Sequence, residues 1–406
     1  MVISATDVAE GRVLPRSLPG ATVLQVAPAL TDDETGRATL EVARALIHSG
    51  SRAIVAARHG PLVDPLRGFG GEWLSLAEGG YGSGRNRANA ARLKRFFADE
   101  RVDIVHVRDA YEVREVLDSL GPDRVGLIAE LPDLSTNRMR LAALRLGALA
   151  RCDRLIARSL HAARPLLDRY RIEPQRVAVM PHGVDIATFD PASILSARVA
   201  ALRKTWGIPS GVRLILVPGA VRPAHGQSVL VDVAHLMRAA GAPPVTFVLV
   251  GDDRRHRLYA HRMLKLAAET GVSGLFRLVG ECSDMPAAYA AAAVVMAPYR
   301  TATGDLRPIA EAQVMARPAV VTDTGALPEA VLAPPRMPDD LRTGWVVPSG
   351  DAQAMARALT AALSLDVAAY RALAARSHEF GLFMFSPDRT AAATLDIYRT
   401  VLEEDG

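Results

Sequence analysis

At 406 residues the chain is longer than a single hydrophobic core usually organises, so two domains are expected. Half of it is hydrophobic and 23% is charged, which excludes a mainly disordered protein. The net charge of +4 is spread along the sequence, almost all of it as arginine (the lysines are Lys94, Lys204 and Lys265), so no block of charge marks a nucleic-acid binder.

Residues 1–20 have neither a basic start nor an apolar run, so they read as a flexible lead-in, not a signal peptide. From Ala21 short apolar runs alternate with amphipathic helices. Strands are expected at 21–27, 52–57, 102–107, 125–130, 154–157 and 176–180, with helices at 39–49 and 87–98 and a Gly-rich excursion over 68–84. The helix carrying Arg138, Arg140 and Arg145 has a basic face that suits packing on its own sheet or contact with anionic lipid. PHGVDIATFDPAS, from Pro181, reads as an interdomain connection. A second series follows, with strands at 213–217, 245–250, 275–279, 293–297 and 319–322 and late helices at 351–363, 367–379 and 387–403. The pattern predicts an α/β protein with domains at 21–190 and 191–385 and a last helix, 386–406. Each domain is a Rossmann-like, doubly wound parallel sheet, and the two face each other across a cleft; ligands of such sheets sit beyond the carboxyl ends of the strands.

Cys152 and Cys282 are isolated, so neither a disulfide framework nor a metal site is expected, and a reducing cytoplasm fits. No stretch has the unbroken apolar length of a membrane span. Residues Thr301 to Glu329 read as a loop, a helix carrying Glu311 two turns in, a short strand and a turn at Gly325. Free N–H groups at that helix start would attract an anion. Gly251 ends a buried strand, where a glycine suits either close approach of a ligand or a tight turn. His106, Arg108 and Glu130 stand at strand ends, as structural residues or as groups that touch an acceptor.

The segments VDIVHVRD, RCDRLIARS, RVAVMPHGVDIATFDP, RLILVPGAVRPAHGQ, FVLVGDDR, EAQVMARPAVVTDTGALPE and GWVVPSGD resemble, in order and spacing, the bacterial group 1 glycosyltransferases, family 4. The resemblance implies the two-domain GT-B fold, with the final helix crossing back to the first domain. It also implies retaining, metal-independent transfer from a nucleotide sugar to a surface-polysaccharide or lipid-linked acceptor, in the cytoplasm or at the inner face of the membrane. In this family the helix glutamate, here Glu311, holds the donor's ribose, and Gly219, Arg222, His225, Gly251 and Arg307 fall near the donor.

The chain departs from the pattern at several of these points. The family's phosphate-binding arginine and lysine are Ala220 and His225, the first of its paired glutamates is Thr303, its first-domain histidine is Leu131, and its glycine pair near the first helix is Asp33-Glu34. Arg222, Arg300 and Arg307, and a protonated His225, are candidates to replace the lost charge. Two alternatives follow: a non-catalytic pseudo-glycosyltransferase that binds a protein partner, and a GT-B nucleotide-sugar epimerase.

Overall fold

The computed structural model describes residues 18–77, 84–121, 125–131 and 147–405. The lead-in to residue 17 and the basic helix with Arg138, Arg140 and Arg145 lie outside the described residues. The chain divides into two compact units, Met1–Gly183 with Pro387–Gly406, and Val184–Ser386.

The first unit runs β1 (Thr22–Ala29), α1 (Glu34–His48), β2 (Arg52–Arg58), α2 (Val63–Gly68), β3 (Glu72–Ser75), α3 (Gly84–Asp99), β4 (Ile104–Val107), α4 (Val113–Leu117), β5 (Gly126–Glu130), β6 (Arg154–Ala157), α5 (Leu160–Tyr170) and β7 (Val177–Val179). The strands form a 7-stranded parallel sheet in the order β3-β2-β1-β4-β5-β6-β7. The winding reverses between β1 and β4, the switch point of a doubly wound sheet. Alternate residues face opposite layers: Val23 and Ala27 join one apolar cluster, Leu24 and Val26 the other.

Asp33 explains where α1 begins. Its Oδ1 accepts the Gly36 N–H at 2.9 Å, an N-cap that starts the helix at Glu34, ahead of the expected Thr39. The excursion at 68–84 contains β3, which pairs with β2 from Ile54↔Glu72. This strand is short and mostly half-buried at the sheet edge, so its sequence, EWLS, carries no clear alternation.

The second unit runs α6 (Ser196–Thr205), β8 (Arg213–Pro218), α7 (Val229–Ala239), β9 (Val245–Val250), α8 (Arg257–Glu269), β10 (Phe276–Gly280), α9 (Met285–Ala291), β11 (Val294–Ala297), α10 (Arg307–Val314), β12 (Ala319–Thr322), β13 (Gly344–Val347), α11 (Ala352–Leu363) and α12 (Val367–Phe385). Its 6-stranded parallel sheet has the order β10-β9-β8-β11-β12-β13. Leu214 and Leu216 pack on one side of β8, Ile215 and Val217 on the other. The segment after Gly183, expected to finish the first domain at 190, groups with this second unit: Val184 N–H donates to Phe385 O at 2.8 Å, and Phe189 is buried against Tyr289.

Helix α10 is short because Ala316 turns left-handed (φ 57°), with Arg317 N–H closing on Ala312 O at 2.8 Å and Pro318 following. It is held against α12 at Gly381, where a Cβ would lie 2.5 Å from Val314 N. The last helix, α13 (Pro387–Asp405), belongs to the first unit and sends Leu395, Tyr398 and Val401 into the cluster that holds Leu40 and Leu46 of α1. Among the described residues, no single helix is long and apolar enough to cross a membrane.

Candidate functional site

In the second unit, the loops that follow β8 and β9 lie against each other at the carboxyl edge of the sheet. Gly219 N–H donates to Val250 O at 2.8 Å, and Val221 N–H to Asp252 O at 3.0 Å. A Cβ on Gly251 would fall 2.4 Å from Gly219 O and 2.8 Å from Ala220 N, so this glycine makes room for the chain's own backbone. Gln227 braces the loop from inside, donating from Nε2 to Ala220 O at 2.9 Å while its Oε1 accepts the Arg222 N–H at 3.3 Å.

His225 is only 8% exposed and stacks on Tyr299, with ring centroids 4.2 Å apart and planes 6° from parallel. The Nη2 of Arg222 lies 2.7 Å from His225 Nε2. Burial, and then the charge of Arg222, push the His225 imidazole down to about 4. In the free protein the ring is therefore uncharged at neutral pH, and a protonated His225 would need a bound phosphate to raise it; the positive charge in this loop sits on the exposed Arg222.

Glu311 lies one turn into α10, not two, and is 6% exposed. Both its oxygens have partners: Arg307 Nε donates to Oε1 at 2.7 Å, and the hydroxyl of the completely buried Tyr289 lies 2.9 Å from Oε2 and 3.0 Å from Pro308 O. Burial raises the Glu311 carboxyl above its ordinary value, and Arg307 and Tyr289 oppose that rise. The free N–H groups expected at this helix start are spent internally. Asp305 Oδ1 accepts from Arg307 N at 3.1 Å, Pro308 has no N–H, and Ile309 N–H donates to Leu306 O at 3.0 Å. Thr303, in place of the family's first glutamate, shapes the loop: its Oγ1 accepts the Asp305 N–H at 3.0 Å, and its carbonyl accepts from Ala326 at 2.8 Å.

In the first unit, His106, Arg108 and Glu130 come together but face inward. His106 is completely buried, with Nδ1 2.7 Å from the Tyr398 hydroxyl of α13 and Nε2 3.6 Å from Glu130 Oε1. Arg108 Nη1 donates to Glu130 Oε1 at 2.5 Å, and its Nη2 and Nε reach Gln25 Oε1 at 2.5 and 3.1 Å. Arg158 closes on Glu130 Oε2. Burial works to raise the Glu130 carboxyl, but Arg158 and then Arg108 hold it well below the usual carboxylate range. His106 is lowered by burial and by Arg108, and His182 is pushed down to about 3 by burial and Arg158. His106, Arg108 and Glu130 are 0%, 7% and 6% exposed, and their side chains are tied to one another, to Gln25 and to Tyr398.

A cavity of about 160 Å³ in the same unit is lined by Arg58, Asn89, Tyr111 and Glu112 among others. Burial, and next the Asp109 charge, push the Glu112 carboxyl up to about 8, and its Oε2 has no hydrogen-bond partner among the described residues. No group of three or more His, Cys, Asp or Glu side chains among the described residues is arranged to hold a metal ion.

Family models match both units: "Glycosyltransferase Family 4" over residues 35–188 and "Glycosyl transferases group 1" over 212–364. The chain belongs to the group 1, family 4 glycosyltransferases. A D-inositol 3-phosphate glycosyltransferase of Salinispora arenicola is 33% identical over 258 residues, covering 62% of this chain and 55% of the relative. One from Streptomyces bingchenggensis is 32% identical over 252 residues, covering 61% and 52%. The matched stretch thus spans about half the length of these curated relatives. The fold is shared with a glycosyltransferase from Rickettsia africae (TM-score 0.76, 23% identity, 94% of this chain and 99% of that one). It is also shared with Anabaena HepE, solved with UDP and glucose (TM-score 0.69, 16% identity, 93% and 99%). Both are GT-B neighbours of this family 4 chain.

Several groups that fix these side chains have contacts that no local sequence pattern shows. Tyr289 and Tyr299 fall in FRLVGECSDMPAAYAAAAVVMAPY, and Arg158 and His182 in RCDRLIARS and RVAVMPHGVDIATFDP, segments that resemble the family, but their partners, like the contacts of Gln25 with Arg108 and of Tyr398 with His106, exist only through the fold. Arg307 was detectable, since four residues separate it from Glu311 on one helix.

Proposed function

We propose that this chain transfers a sugar from a nucleotide-sugar donor bound by the second unit to a saccharide or lipid-linked acceptor met by the first. The observation that carries the reading is the Glu311 carboxylate, buried and fixed by Tyr289 and Arg307 at the ligand-binding edge of a parallel sheet. A carboxylate has about four lone-pair sites, so two internal partners leave acceptors for a pair of ribose hydroxyls. The glycines at 219 and 251 let the two loops pack closely at this edge, and Arg222 supplies charge for a diphosphate leaving group. Arg307 acts through Glu311 by orienting it. The hydrogen-bond acceptors of the first-unit cavity suit a hydroxyl-bearing acceptor. A lipid-linked acceptor would bring the protein to the cytoplasmic face of a membrane. Retention of configuration and independence from a metal or cofactor are part of the proposal.

One observation favours the non-catalytic reading. Ala220 and a neutral His225 occupy the places where the family carries two cations, which removes charge from the leaving-group site. Product analysis separates the readings. With UDP-, GDP- and ADP-sugars and a saccharide acceptor, transfer releases free nucleotide, inserts the sugar with retained configuration and continues in EDTA. An altered sugar still attached to its nucleotide would mean epimerisation. Neither product from a folded sample would overturn the transferase reading in favour of a binding or scaffold subunit.

A further inference from the structure

We propose that His225 is a positioning residue: uncharged and clamped against Tyr299, it accepts a hydrogen bond from Arg222 and aims that guanidinium at the donor's diphosphate. The inference rests on the donor-site reading above and states which side chain replaces the family's missing pair of cations.

The slot that holds the ring is built by three elements. Gly219 lacks the Cβ that would stand 2.9 Å from Tyr299 Oη and 3.2 Å from His225 Nδ1. Tyr299, just after β11, supplies the flat surface for the stack, and Thr322 anchors it by donating from Oγ1 to Tyr299 O at 2.8 Å. Gly226, with φ 69°, turns the chain where a Cβ would fall 2.1 Å from Pro298 O. The ring is thus fixed in plane, and its Nε2 lone pair meets Arg222 Nη2 at 2.7 Å.

The partnership is between a cation and a neutral acceptor. No carboxylate pairs with Arg222 among the described residues, so its guanidinium has no anion of the protein's own to hold it. Around the ring the charged groups are Arg222 on the loop itself and Arg300 and Asp305 on the segment after Tyr299. Burial and the adjacent guanidinium push the imidazole down to about 4 in the free protein, so the acceptor is in place at neutral pH before a ligand arrives. A lysine here would bring a charge of its own. The histidine instead restricts Arg222, which would otherwise sample many rotamers in water.

The test is calorimetric titration with UDP, GDP and ADP and with uridine, guanosine and adenosine. Arg222→Ala is expected to weaken binding of whichever diphosphate the wild type takes by about 10- to 100-fold, the value of a charge-assisted hydrogen bond, while leaving nucleoside affinity unchanged. His225→Phe keeps the stack but removes the acceptor, and should lose diphosphate affinity in the same direction by about 3- to 10-fold. His225→Gln, which restores a neutral acceptor, should recover part of it. The positioning role is overturned if His225→Phe binds the diphosphate like wild type, or if Arg222→Ala weakens nucleoside and diphosphate alike. If His225→Phe fails to fold, Arg222→Ala still tests the premise that this guanidinium meets the diphosphate, and unchanged diphosphate affinity there overturns the positioning role. Wild type that binds no nucleotide sinks the donor-site reading and this inference with it, whereas wild-type binding with unaffected variants sinks this inference alone.

Discussion

Glu130→Ala is expected to destabilise the first unit by about 3–5 kcal/mol at neutral pH, enough to take much of the stability of a typical domain. The carboxylate is the shared anion for Arg108 and Arg158, whose side chains are 2% and 14% exposed. Removing it leaves two guanidinium charges in a buried site. Arg108 would keep Gln25 Oε1 and Ala38 O, and Arg158 would keep Met180 O, but these neutral acceptors cannot balance the charge. Arg158 Nε already lacks a hydrogen-bond partner among the described residues. Because the protein has two units, the readout should be amide hydrogen exchange in β4, β5 and β6, with β8 and β9 of the second unit as the internal reference. A loss below about 1 kcal/mol in the first unit would contradict the paired-ion account.

The same network fixes an acid dependence. His182 is neutral in the folded unit down to about pH 3, whereas its ordinary value is 6.5, so between these pH values the unfolded chain binds the extra proton. Stability should fall as pH drops below about 6.5. Glu130 acts lower: its depressed folded value gives stability that is complete above the ordinary glutamate value of 4.5 and is lost as pH falls below it.

The second large effect concerns ligand, not fold. Glu311→Ala is expected to weaken nucleotide binding by about 10- to 100-fold, the value of one or two hydrogen bonds to a charged acceptor, while costing only about 1 kcal/mol in stability. The modest cost follows from the partners. The Tyr289 hydroxyl still has Pro308 O at 3.0 Å, and Arg307, 57% exposed, returns to water. Calorimetry and chemical denaturation on one preparation separate the effects. A large stability loss with unchanged affinity would make Glu311 a structural anchor.

The sequence is legible where apolar runs are continuous. The buried strands at 52–58, 154–157, 245–250 and 319–322 fall at or within a residue of their expected limits, because both faces are covered and composition alone marks them. β3 and β13 escape this reading, since Glu72–Ser75 and Gly344–Val347 include half-buried or exposed positions at sheet edges. The helix and its glutamate could be read from 301–329. The charge state of His225 could not, because it depends on a stack with Tyr299 and on enclosure by Gly219, which appear only once the loops are folded. Likewise His106 and Tyr398 meet across most of the chain length, so a strand-end histidine that reads as a ligand contact becomes part of an internal network. Thr303 is a substitution whose local role, capping the turn before α10, becomes plain only in the folded loop.

The most direct test of the account is a titration of the purified protein with UDP, GDP and ADP and their common sugar conjugates, by calorimetry with thermal shift alongside. One nucleotide should bind in the micromolar range and raise the unfolding temperature, as a ligand specific for the native state must. No binding to any of them, in a sample whose two units are folded, would contradict the assignment of a donor site to the second unit.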